Sequence, residues 1–162
     1  MKKLIFSTND SLSPTIVRTV LGLVLSAHGA QKLFGWFGGY GFEGSMKFFT
    51  GTVGLPWILG FLIIMLEFFG ALLLVAGLAT RFLSVSIFFL MLGISITTLG
   101  ANGFFMNWFG NQKGEGIEYC ILAMGLAASL AITGGGRYSI DALIAASSSR
   151  LLNTRISKTA IA

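Results

Sequence analysis

Runs of about twenty residues almost free of charge decide what this chain can fold into. Between Pro56 and Leu78 the only ionisable side chain is Glu67, and between Phe82 and Leu99 there is none. At 1.5 Å per helical residue each run is long enough to cross, or nearly cross, the ~30 Å hydrocarbon core of a bilayer. Soluble domains are about a quarter charged, whereas this chain of 162 residues is 10% charged and 54% hydrophobic. The runs are continuous rather than alternating, so a β-barrel pattern is absent. The chain reads as an all-α integral membrane four-helix bundle, with helices at about 14–34, 56–78, 82–99 and 115–133. Ser13 and Pro14 supply a start for the first, Ala79-Thr80-Arg81 links the second to the third, and Gly134-Gly135-Gly136 stops the fourth.

Four spans put both termini on one side. That side holds Lys2, Lys3, Arg18, Arg81, Arg137, Arg150, Arg155 and Lys158, while the other holds Lys32, Lys47 and Lys113. The imbalance makes the termini cytoplasmic, and Trp36, Trp57 and Trp108 fall at the opposite edge as an aromatic belt. A multi-pass protein of a bacterial inner membrane is the expected setting. Residues 1–13 form a cytoplasmic segment without the apolar core of a signal peptide, so the first span is expected to target the chain. Residues 14–138 form the membrane domain, and 139–162 a basic tail whose Ile140, Leu143, Ile144, Leu151 and Leu152 recur at helical spacing. The outer connections, rich in Gly and Phe, are expected to fold over the bundle mouth as a lid. The net charge of +5 sits at the ends of the apolar runs, without the aromatic interleaving of a nucleic-acid surface. One cysteine, Cys120, excludes an intrachain disulfide, and no metal site is expected around a single histidine.

Ionisable side chains inside the spans cost ~2.5–3.5 kcal/mol each to insert, so each needs a reason. At 100° per residue His28 and Lys32 share a face beside the small residues Gly22, Ser26 and Gly29. Glu67 lies near mid-depth on a close-packing face with Gly60, Gly70 and Ala71. Glu115 and Glu118 lie on the fourth helix with Leu122, Gly125 and Ser129, and the third helix offers only Ser86, Gly93 and Thr97. Arg18 and Arg81 are placed to snorkel at the inner ends, and Cys120 points away from the acids. His28, Lys32 and Glu67 thus form a candidate reactive centre, lined by Glu118, Glu115, Gly70 and Gln31. Gly22, Ser26, Gly29, Gly60, Gly77, Gly93 and Gly125 are candidate packing positions. The same charges could instead be interhelical clips that fix register.

Several short motifs fall in a familiar order. Arg18 to Gly22 (R-x3-G), His28 to Lys32 (HG-x2-K), Glu67 to Gly70 (E-x2-G), Gly77 to Arg81 (GL-x-TR) and Gly134 to Asp141 (G-x-G-R-x-S-x-D) together resemble DoxX-family membrane proteins across residues 14–145. The resemblance implies a four-helix membrane bundle. It also implies kinship with the small membrane subunit of thiosulfate:quinone oxidoreductase and with membrane redox complexes handling thiol and oxidative stress.

From these residues and that resemblance the expected function is a redox-associated accessory subunit. It would bind a quinone-like or other small lipophilic ligand in the outer half of the bundle, and any catalysis would need a partner subunit. No haem or flavin is expected. The competing expectation is a non-enzymatic structural or assembly subunit, and self-association is open to either. In the first case His28 donates to a carbonyl and exchanges protons, Lys32 stabilises negative charge, and Glu67 is the deep proton acceptor.

Overall fold

The first helix begins where Ser11, in extended conformation, accepts a hydrogen bond from the Ser13 amide, and it ends where Gly35 turns left-handed at φ 75°. That element, α1 (Leu12–Phe34), opens a computed structural model that describes residue 8 and residues 10–147. Helices α2 (Gly41–Lys47), α3 (Trp57–Met65), α4 (Ala71–Ala76), α5 (Thr80–Ile94) and α6 (Glu118–Thr133) follow, with no strand among the described residues. A π turn over Leu66–Gly70 joins α3 to α4 in one rod, Trp57–Ala76, and a second over Ser95–Leu99 extends α5 to Asn102. These two rods are long and apolar enough to cross a membrane, whereas α6 is apolar but shorter. Residues 140–147 are also helical, and the tail residues Leu151, Leu152, Arg155 and Lys158 lie outside the described residues, as do Lys2, Lys3 and Arg150.

Two boundaries differ from the sequence reading. The link between the second and third long helices is Gly77 to Ala79, because Gly77 and Ala79 both take left-handed conformations and Thr80 already begins α5. The fourth helix starts at Glu118, so Glu115 lies in the preceding loop.

All four long helices contribute to one core, in which Leu25, Leu74, Ile87, Met91, Ala127 and Leu130 are buried. Helix α1 and the α3–α4 rod approach each other closely. A methyl group on Gly29 would lie 2.5 Å from the Glu67 carbonyl carbon and from the Phe68 nitrogen, and one on Gly22 would lie 2.8 Å from the Ala71 carbonyl oxygen. Backbone cannot retreat as a side chain can, so glycine is what lets the helices touch. Gly60 instead faces Phe49 and Met46 of the α2 region, which packs over the rod through Met46, Phe49 and Ile64. The Gly-rich connection at 41–52 is therefore mostly helical and seated on the body. Gly77 makes its contact in a turn, against Ser139. Gly93 and Gly125 meet no described atom within 4 Å, so the packing role expected of them is not found. Ser26 is half-buried and bonds back to the Leu23 carbonyl of its own helix.

The end of the molecule holding Ser11, Gly77 and Gly134 is tied by two buried charges. Arg18, expected to snorkel, is 3% exposed. Its Nε donates to the Gly135 carbonyl at 2.8 Å, Nη2 to Tyr138 at 3.0 Å, and Nη1 to Leu74 at 3.4 Å and to Val75. Leu74 and Val75 lie in the last turn of α4, where the helix dipole favours a cation; the Leu74 carbonyl also accepts from the Gly77 amide at 3.0 Å. A planar fork of five donors suits such a cluster, which explains why the guanidinium stays inside. Asp141 supplies the complementary cap: its two carboxylate oxygens accept from the Ala79 amide at 2.7 Å and the Thr80 amide at 2.8 Å, opening α5. Arg81 donates to the Ala131 carbonyl near the end of α6. On the surface Arg137 pairs with Asp10 at 3.0 Å, and its hydrogen bond and charge hold the Asp10 carboxyl below the usual range.

Gly29→Ala is expected to lower stability by ~1–3 kcal/mol, as overpacking against backbone does, while Gly125→Ala, with open space around it, should raise it by ~0.5–1 kcal/mol through helix propensity; thermal melts in detergent read both. Asp141→Asn retains one acceptor for two amides and should cost about 1 kcal/mol. Arg18→Met, which strands the Val75, Gly135 and Tyr138 carbonyls, should cost more than ~3 kcal/mol in the same melts, each bond to a charged donor being worth ~1.5–3 kcal/mol.

Candidate functional site

Lys32 stands in the last turn of α1, one turn beyond Gly29, and Glu67 stands in the π turn of the rod that Gly29 touches. Close backbone approach therefore delivers the two side chains to each other. Lys32 Nζ lies 2.5 Å from Glu67 Oε2, with Lys32 27% exposed and Glu67 2%. A π turn widens the helix by one residue and is common at functional positions. It also departs from the regular 100° spacing by which the sequence places Glu67 on the face of Gly60 and Gly70.

Two cavities meet at this ion pair. The larger, about 490 Å³, lies between the α3–α4 rod and α5, with Phe48 and Phe49 closing one end. The smaller, about 250 Å³, is bounded by Leu25 and His28 of α1, Met91 and Ile94 of α5, Glu115 of the loop, and Tyr119 and Cys120 of α6. Lys32, Glu67 and Ile94 line both. His28 is exposed overall yet borders the smaller cavity, its ring centroid 5.6 Å from that of Tyr119. The Tyr119 hydroxyl is buried and has no hydrogen-bond partner among the described residues. A buried phenol usually finds a partner, so this donor is available to whatever occupies the cavity.

The structure thus brings together His28, Lys32 and Glu67, with Glu115 at the margin. Glu115 Oε2 accepts from the Asn107 amide at 2.7 Å, and Glu118 Oε2 accepts from the Met106 amide at 3.1 Å. The two acids staple the loop to the start of α6, and Glu118 is absent from both cavity walls. The face it shares with Leu122, Gly125 and Ser129 looks outward; the buried stripe of α6 is Cys120, Ala123, Ala127 and Leu130. Gly70 packs on Leu66 and Leu83 instead of lining space. Gln31 donates to the Phe37 carbonyl at 3.4 Å and lines neither cavity. Tyr119 and Cys120 were missed as wall residues. The run of small residues Ala123 and Ala127 below them, spaced for one helix face, is the signal that could have found them. Among the described residues no three His, Cys, Asp or Glu side chains gather as a metal site.

A membrane-class helical protein with a buried ion pair between two cavities is what fold and site define. The sequence model of the DoxX family matches residues 13–108. A relative from Bacillus subtilis (strain 168), named "Putative oxidoreductase CatD", is 30% identical over 129 residues, covering 80% of this chain and 84% of that protein. No solved structure matches. The chain belongs to the DoxX family of membrane proteins.

Removing one partner of a fully buried pair costs ~3–5 kcal/mol, and the partial exposure of Lys32 brings Glu67→Gln or Lys32→Met alone to about 2 kcal/mol. The double variant should recover much of that loss. A double-mutant cycle on thermal stability measures the coupling, and strictly additive losses would show that the two charges do not interact.

Proposed function

We propose that this chain is a redox-associated accessory subunit that crosses the cytoplasmic membrane four times and binds a quinone-like ligand beside Lys32 and Glu67. Apolar side chains such as Val20 and Leu23 on α1, Leu72 and Phe82 on the central rods, and Leu122 and Ile132 on α6 are exposed, which suits lipid around all four helices. Arg18, Arg81 and Arg137 gather at one end and Lys32 lies toward the other, which supports cytoplasmic termini and a site in the outer half. The oxidoreductase named among the relatives supports the redox assignment.

The single observation that carries the proposal is the unpartnered Tyr119 hydroxyl in a cavity that also meets His28 and the Lys32–Glu67 pair. Residues present fit a neutral ring bearing carbonyl groups: Tyr119 and His28 can donate to carbonyl oxygen, and apolar Leu25, Met91 and Ile94 flank the space. A bound quinone supplies an acceptor for two electrons and two protons. Lys32 holds positive charge where oxygen gains negative charge. Glu67, paired with Lys32, is the deep proton acceptor of this reading. His28, at the exposed margin, exchanges protons with the outside. Electrons come from a partner redox subunit.

A structural or assembly subunit is the second reading. It is favoured by Gly125 and Ser129, four apart and exposed on α6, a spacing that lets another helix dock closely. Such a helix could belong to a partner or to a second copy.

Purification in mild detergent followed by organic extraction and mass spectrometry is expected to find a quinone with the wild-type chain. Glu67→Gln should remain folded and lose most of it. A wild-type protein that carries no lipophilic cofactor, with a Glu67→Gln variant that simply melts, would establish the structural reading instead.

A further inference from the structure

The larger cavity has a composition the ring-binding site does not need. Its walls are hydrocarbon: Leu59, Leu62, Ile63 and Leu66 from the rod face Phe89 and Leu90 from α5. Of the three hydroxyls that border it, those of Ser86 and Thr97 are turned into their own helix, and that of Thr98 lies 3.3 Å from the Thr97 hydroxyl. Ser86 donates to the Phe82 carbonyl at 3.0 Å and Thr97 to the Gly93 carbonyl at 2.8 Å, so their polarity is spent on backbone. Midway along the wall Gly93 meets no described atom within 4 Å of where its Cβ would stand, which leaves open room where a side chain would otherwise project. At about 490 Å³ the space is within the ~300–1,000 Å³ range of ligand sites.

Two further facts choose the occupant. The groove opens between the two helices that are long and apolar enough to cross a membrane, where Leu62 and Phe89 are exposed. A chain in the bilayer can therefore slide in sideways without meeting water. The groove ends on Lys32 and Glu67, which it shares with the smaller cavity. With Lys32 paired to Glu67 at 2.5 Å, the junction offers a resting ligand no excess positive charge, so a neutral head suits it better than a phosphate, while Lys32 remains available to charge that develops later.

We infer that the groove holds the hydrocarbon tail of the ligand whose ring lies in the smaller cavity, so that the protein selects tailed, membrane-resident quinones over tail-less ones. The inference rests on the ring-binding proposal above and adds the substrate class. Burying several methylenes on the tail is worth at least about tenfold in affinity.

The test uses the full chain in detergent micelles and measures equilibrium binding, by quenching of tryptophan fluorescence, of two probes with one ring. One is menadione and the other a menaquinone with a four-isoprene tail. The wild type should bind the tailed probe at least about tenfold more tightly. Gly93→Leu, which fills the gap and improves helix propensity, should bring the tailed probe down to the affinity of menadione and leave menadione unchanged. Leu62→Trp fills the groove from the opposite wall and should do the same. Equal binding of both probes by the wild type, or undiminished tail preference in both variants, overturns the groove assignment while ring binding stands. Failure of the wild type to bind either probe sinks ring binding and the groove together.

Discussion

Everything at the site depends on two helices being allowed to touch. Charges of opposite sign in hydrocarbon attract strongly but are costly to bring out of water, so their pairing is favourable only where geometry is tight and already fixed. Here the fixing is done by an absent side chain. With Gly29 set against the Glu67 backbone, the last turn of α1 is held at a distance that lets Lys32 close on the carboxylate at 2.5 Å. The π turn at Leu66–Gly70 then places that carboxylate between two spaces of different character. Steric permission comes first, electrostatics second, and the cavities are what remains around them.

How much of this could be read from the letters alone depends on whether a partner has a sequence signature. His28, Lys32 and Glu67 stood out because charges are rare in apolar runs, and the structure brings them to the wall of one cavity. Glu115 and Glu118 stood out for the same reason, but their partners are the amides of Asn107 and Met106, which every residue type possesses. Helix phase was a second source of error. Carrying the fourth helix back to 115 and ranking its faces by polarity pointed the Gly125 side inward, whereas small apolar residues decide which side is buried. Gly93 and Gly125, candidate packing positions by sequence, border an open groove and the exterior respectively.

Arg18 was legible as a motif residue and illegible as a structural one. Its acceptors are carbonyls of Leu74, Val75, Gly135 and Tyr138, up to 120 positions away and silent in any local pattern. The motif pieces that resemble the family in order and spacing nevertheless make sense together once folded. Arg18, Gly77, Gly135, Ser139 and Asp141 meet at one end of the helices, and Gly22, Gly29, Lys32 and Glu67 line the contact of α1 with its neighbouring rod.

That distant set of acceptors has a bearing on biogenesis. The chain emerges from its N-terminus, so α1 is made before any of the four oxygens that will receive its guanidinium, and two of them come only after α6. Until the stretch after α6 arrives, Arg18 must borrow water or lipid phosphate, and the nascent assembly stays unlatched. Closure waits for residues 135 and 138, so synthesis past α6 is a condition of a sealed molecule.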